Sequence, residues 1–141
     1  MLPENPCLID TDILSYILKH KAPVKKRAEI YLTQYQSLQI SQITYYEVLR
    51  GLLAVNATTK LEKFKALLNV IDIIEVDKQV LDSAAKIYAY LKPNGEFIGE
   101  LDILIAATAL ANNYILVTNN IKHYQKIQKY TDLKIENWNN P

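Results

Sequence analysis

GELDILIAATALANNYILVTNN, residues 99–120, carries the pattern that decides the fold. From Leu101 to about Asn112 the residues are apolar on nearly every side, so the stretch predicts a helix made for burial. Tyr114–Thr118 then reads as a short strand. Thr118, Asn119 and Asn120 finish it with oxygen-bearing side chains. A buried helix feeding a buried strand belongs to an α/β fold with a mainly parallel sheet.

The same alternation extends outward in both directions. Leu8–Asp10 reads as a buried strand and Ile13–His20 as a short helix. Pro23 suits a helix start, and that helix runs to about Tyr35. Leu38–Ser41 is a second strand, followed by a helix from about Gln42 to Ala54. Thr58 or Thr59 is placed to cap the next helix, whose apolar stripe is Leu61, Phe64, Leu67 and Leu68. Ile71–Val76 is a third strand. Asp77 precedes a helix to about Leu91, with Val80, Leu81, Ala84, Ile87 and Leu91 on its inner face. Lys92–Glu96 is a loop, Ile121–Gln128 a helix and Leu133–Ile135 a last strand. The sum is a four- or five-stranded sheet in one domain spanning residues 1–141.

Composition narrows the class. Half the residues are apolar and 22% are charged, as in ordinary globular proteins. The single cysteine, Cys7, excludes an internal disulfide and suits a small core residue in a reducing cytoplasm. Met1–Pro6 has no basic leader region. The longest apolar run, Ile103–Ala111, is far shorter than the ~20 residues of a membrane span. A cytoplasmic protein without a membrane partner is expected. Three glycines leave no Gly-rich phosphate loop. The net charge of +1 is neutral on nucleic acid. Locally, Lys19, His20, Lys21, Lys25, Lys26 and Arg27 form either a solvated helix face or a phosphate-tracking rim.

Asp10, Glu47 and Asp102 stand at or near strand–helix junctions, and in an open parallel sheet those junctions share one edge. Converging carboxylates repel unless a cation joins them. Hard oxygen donors point to Mg²⁺ or Mn²⁺. His20 and His123 have no ligand-spaced partner, which argues against zinc. Such a site suggests phosphodiester hydrolysis. Each residue also has a plainer role. Asp10, Thr11 or Asp12 can cap the first helix. Glu47 can complete a capping box with Thr44 or pair with Arg50. Ser41 is an equally good cap, and it frees Glu47 to face the sheet edge. Asp102 suits a helix N-terminus, Glu100 reads as solvated, and Asn119 and Asn120 suit a turn. In the site reading, Thr11 and Asp12 support Asp10, while Thr118 and Asn120 offer neutral oxygens.

Leu8-Ile9-Asp10-Thr11-Asp12-Ile13-Leu14, Glu47-Val48-Leu49-Arg50-Gly51, Leu101 to Leu110 and Leu116-Val117-Thr118-Asn119-Asn120 resemble the PIN-domain ribonucleases, in particular VapC-type toxins of bacterial toxin–antitoxin pairs. The resemblance implies a three-layer α/β/α fold and a Mg²⁺- or Mn²⁺-dependent endoribonuclease. Asp10, Glu47 and Asp102 match the family's acidic metal positions. Its usual fourth acidic residue falls on Asn120, and Asp12 stands where Asn is common. Asn120 removes one negative charge from the pocket, and an inward Asp12 would partly restore it. The resemblance further implies an RNA substrate, a homodimer and a small antitoxin whose C-terminal segment fills the active-site groove. Two rivals are a haloacid-dehalogenase-like phosphatase with Asp10 as nucleophile, and a catalytically weak co-repressor module acting through the antitoxin.

Overall fold

A computed structural model describes residues 5–140. Met1–Glu4, part of the segment read for its lack of a leader, lie outside the described residues. Five strands form one sheet: β1 (Cys7–Ile9), β2 (Leu38–Ser41), β3 (Ile71–Ile74), β4 (Ile115–Val117) and β5 (Ile135–Glu136). Their spatial order is β3-β2-β1-β4-β5, and every pairing is parallel. Seven α-helices connect them: α1 (Thr11–Leu18), α2 (Ala22–Tyr35), α3 (Gln42–Ala54), α4 (Thr58–Leu67), α5 (Lys78–Leu91), α6 (Glu100–Ala111) and α7 (Ile121–Gln128).

Strand alternation places a core on each face of the sheet. On one face Cys7 and Ile9 pack with Ile13, Val24, Leu38, Phe64 and Val117. On the other, Leu8 and Leu116 pack with Val80, Ile87, Ile105 and Tyr124. The result is the three-layer α/β/α arrangement expected of the sequence. Buried side chains also tie the layers together. Tyr31 of α2 accepts a hydrogen bond from the Cys7 backbone N–H at 2.9 Å and donates one to Gln39 Oε1. Trp138 packs on Tyr31, with ring centroids 5.6 Å apart.

From β1 the chain steps outward to β2 and β3, then crosses back to place β4 on the other side of β1. The β1/β4 boundary is therefore the topological switch point. In open α/β sheets such a point forms a crevice beyond the strands' carboxyl ends.

Several boundaries differ from the sequence reading, each for a local reason. Helix α1 starts at Thr11, two residues early, because Asp10 caps it. The Thr58/Thr59 cap is not formed. Ala57 occupies the cap position of α4 with no side-chain bond. Leu81 is 51% exposed, off the inner stripe of α5. Strand β5 falls at Ile135–Glu136, while Leu133 is buried in the core beside α7. Ser41 does cap α3, accepting from Thr44 N at 3.0 Å, so Glu47 lies in the second turn. No helix among the described residues is long and apolar enough to cross a membrane.

Replacement of Ser41 by Ala should lower stability by about 1 kcal/mol, read as a reduced midpoint in urea unfolding.

Candidate functional site

Asp10 anchors the crevice. Its backbone N–H still follows the β1 ladder, donating to Val117 O at 2.9 Å. Its side chain has already turned to helix capping: Oδ1 accepts from Thr11 N at 2.8 Å. The other oxygen, Oδ2, accepts from Thr118 Oγ1 at 2.8 Å. Thr118 is fully buried at the end of β4 and itself accepts from Asn120 N at 3.0 Å. One hydroxyl thus joins the ends of the two central strands to the turn entering α7.

Thr11 brings in the second carboxylate. Its backbone N–H serves Asp10, and its hydroxyl donates to Glu47 Oε1 at 2.8 Å. The carboxylates of Asp10 and Glu47, from two distant segments, therefore share one threonine. Thr44 Oγ1 lies 3.1 Å from the same hydroxyl. Arg50 reaches the outer oxygen of Glu47 at 3.7 Å, so the ion pair exists alongside the site contact.

Asp12 turns inward. Its Oδ1 accepts from Ile13 N at 2.7 Å and its Oδ2 from Asn119 N at 3.0 Å. Asp102 sits in the first turn of α6, where His123 Nε2 lies 2.9 Å from its Oδ2. Asn120 opens α7 as an exposed residue and contributes its backbone N–H. Glu100 is exposed.

The electrostatics show which groups meet. Asp10 is only 6% exposed, and its carboxyl is pushed up to about 7, chiefly by burial and then by the charge of Asp12. Hydrogen bonds from Thr118 and Thr11 oppose the rise, and Asp102 adds to it. Burial also raises Asp12, with Asp102 contributing. Asp10, Asp12 and Asp102 therefore share one field, with Glu47 joined through Thr11. Among the described residues, no group of three or more His, Cys, Asp or Glu side chains is gathered closely enough to hold a metal ion. The donor set is hard oxygen, and its chemistry fits Mg²⁺ or Mn²⁺.

Two residues here escaped sequence reasoning. His123 reads as isolated along the chain yet orients Asp102 across 21 residues. Tyr124, one of ten tyrosines, is 1% exposed, and its hydroxyl has no partner at hydrogen-bonding geometry. Burial raises its pKa, as do Asp10, Asp102 and Asp12, and Asp102 is near enough to draw on its proton. The only advance signal was the position of both residues in the first turns after Asn120.

From Thr11 and Glu47 a groove of ≈ 450 Å³ runs out to Lys19, His20, Lys60 and Lys63. It shares Leu18, His20 and Lys63 with an apolar groove of ≈ 460 Å³ lined by α1, α2 and α4. Lys19 and His20 of the basic cluster thus border the site, whereas Arg27 is paired with Glu136.

Because the folded Asp10 carboxyl titrates above its unfolded value, the folded state holds the extra proton between about 3.8 and 7. Ionising it there costs stability as pH rises. In cation-free protein, Asp10→Asn should therefore raise the melting temperature relative to wild type at pH 8, and the gain should shrink towards pH 4.5.

Residues 7–129 match the PIN domain family. A Rickettsia felis "Ribonuclease VapC2" is 33% identical, with 93% of this chain and 96% of that protein covered. A Methanocaldococcus jannaschii "Ribonuclease VapC1" is 32% identical, covering 90% of this chain and 85% of the relative. The crystal structure of VapBC2 from Rickettsia felis, bound to a DNA fragment from their promoter, superposes with a TM-score of 0.83 at 29% identity. It covers 93% of this chain and 97% of that one. With its parallel sheet and its acidic crevice at the β1/β4 boundary, the chain belongs to the PIN-domain family, among the VapC ribonucleases.

Proposed function

We propose that this VapC-type ribonuclease hydrolyses RNA phosphodiester bonds with a divalent cation held by Asp10, Glu47 and Asp102, with Asn120 as a neutral oxygen donor. The observation that carries the reading is the convergence on Thr11, Thr118 and His123. These three residues aim carboxylates from three distant segments at one sheet edge. Without a cation, repulsion opposes closer approach, and each carboxylate rests on its own hydrogen bonds. A bound Mg²⁺ or Mn²⁺ supplies polarisation of the phosphoryl group and acidification of an attacking water.

The chain's own residues do the remainder. Thr11 fixes Asp10 relative to Glu47, and Thr118 pins the buried Asp10. Asp12 holds the turn before α7 through Asn119 N and supplies the charge that Asn120 lacks. A carboxylate of the set accepts the proton of the attacking water. The water oxygen bonds to phosphorus as the P–O3′ bond breaks, and the departing O3′ takes a proton from solvent, leaving a 5′-phosphate and a 3′-hydroxyl. Lys19, Lys60 and Lys63 along the groove suit the backbone of single-stranded or looped RNA.

The neighbouring apolar groove suits a segment of a small antitoxin, entering towards Thr11 and Glu47. Exposed Tyr46 and Leu53 on α3, Leu81 and Tyr88 on α5, and Phe97 at 79% exposure support a homodimer contact. Membership of the ribonuclease family decides against the phosphatase reading of Asp10.

Asp10→Asn and Asp102→Asn should each cut Mn²⁺-dependent RNA cleavage by about 10²-fold or more and relieve growth arrest. The assay uses purified protein freed of antitoxin. Full cleavage and toxicity in both variants would end the carboxylate–cation reading. Wild-type cleavage under these conditions dismisses the weak co-repressor alternative.

Lys60→Glu combined with Lys63→Glu should raise KM for RNA about 10-fold with kcat little changed. The salt dependence of binding should weaken in parallel.

A further inference from the structure

Beside the acidic crevice, five asparagines and Lys122 surround a polar cavity of ≈ 590 Å³. The volume lies within the range of small-ligand sites. Two contacts join the cavity to the site. Asn119 N donates to Asp12 Oδ2, and Asn120 N donates to Thr118 Oγ1, the partner of Asp10. The opposite wall is the segment after β5. Trp138, buried against Tyr31, anchors that segment to the core. Asn119 Oδ1 clamps it to the turn before α7, accepting from Asn137 Nδ2 at 3.2 Å and from Asn139 Nδ2 at 3.0 Å. Asn137 Oδ1 then accepts from Asn139 N at 2.9 Å. Turn chemistry accounts for these bonds, but it leaves other groups without a role. Among the described residues, Asn139 Oδ1 accepts no hydrogen bond and the side-chain amide of Asn140 has no partner. Lys122 is exposed and makes no ion pair there.

We propose that this cavity seats an unpaired base of the RNA next to the scissile phosphodiester, with Asn139 Oδ1 and the Asn140 amide reading its edge and Lys122 holding a neighbouring phosphate. The inference deepens the ribonuclease reading and rests on it, but it uses no cation geometry. An amide carries a donor and an acceptor side by side, the pattern that pairs with a base edge. Single-stranded or looped RNA presents such edges. Asn139 is already held by Asn119, so it gives up little freedom on binding. A protein partner fits less well. Interface anchors are large apolar or aromatic side chains that fill pockets, and Ile121 is the one apolar residue lining this cavity. The lysine groove opens from Thr11 and Glu47, on the β2 side of Asp10, whereas this cavity follows β4. A strand laid from one to the other crosses the carboxylates.

The test compares wild type, Asn140→Ala and Lys122→Gln in the full chain freed of antitoxin. A randomised pool of short single-stranded RNAs locates the wild-type cut, and RNAs with each base in turn on either side of it follow. Binding is read by fluorescence anisotropy in EDTA, and cleavage as kcat/KM with Mn²⁺. Wild type should favour one base at one flanking position in both assays. Asn140→Ala should cut that preference about 10-fold, while the least favoured base is bound and cleaved as by wild type. Asn140 is exposed and unbonded, so its variant should melt with wild type. Lys122→Gln should weaken binding of all the RNAs alike, by about 3-fold, and lower the salt slope. A wild type without base preference, a preference that survives Asn140→Ala, or one lost only with a lowered melting temperature overturns the base pocket and leaves the ribonuclease reading standing. A wild type that neither binds nor cleaves the pool overturns that reading and the base pocket with it.

Discussion

The hydrogen bond from Thr118 to Asp10 spans 108 residues of chain and joins the ends of the two strands that flank the switch point. Both partners are buried, and burial makes the bond consequential. An ionised carboxylate removed from water needs donors, and Asp10 finds them in Thr118 Oγ1 and Thr11 N. Thr11 in turn draws Glu47 to the edge, and Thr118 holds the backbone of Asn120. The positions of β1, α1, α3, β4 and the start of α7 are thus coupled through two threonine hydroxyls. Those hydroxyls only partly compensate the charge, and Asp10 remains well above the ordinary carboxylate range. The residual imbalance is electrostatic, and it is of the sign that a cation corrects.

Much of this architecture was legible along the chain. Short apolar runs ending in Asp, Ser or Thr marked β1, β2 and β4. Their parallel order follows from the helices between them. The choice between Ser41 and Thr44 as the cap of α3 could be posed from sequence but not decided there. It turns on whether the helix begins directly after β2, which depends on strand register. The cap of α4 was misplaced for a related reason. Two threonines look alike as caps, yet the chain enters that helix at Ala57 with both inside the first turn. Leu81 fits the helical stripe arithmetically but falls beyond the edge of the surface that α5 buries.

The site was legible in part, and the division has a physical basis. Residues at strand ends could be assigned to one edge because parallel topology puts them there. His123 and Tyr124 could not, because their proximity to Asp102 depends on how α7 packs beside α6, which no spacing encodes. The same limit explains why a histidine without a ligand-spaced neighbour turned out to be a partner of a carboxylate.

Asn120 and Asp12 are best understood together. Asn120 is uncharged and exposed, and its backbone N–H donates to Thr118 Oγ1. Asp12 lies on the facing side, fixed by Asn119 N, and its charge is the largest electrostatic influence on Asp10 after burial. In the proposed site Asp12 thus partly supplies, from the start of α1, the charge that Asn120 does not. Asp12 holds the α7 turn from across the crevice, so the residue restoring the charge also fixes the backbone that presents Asn120. Charge and geometry in this pocket are therefore set by the same two contacts, and a change in either alters both.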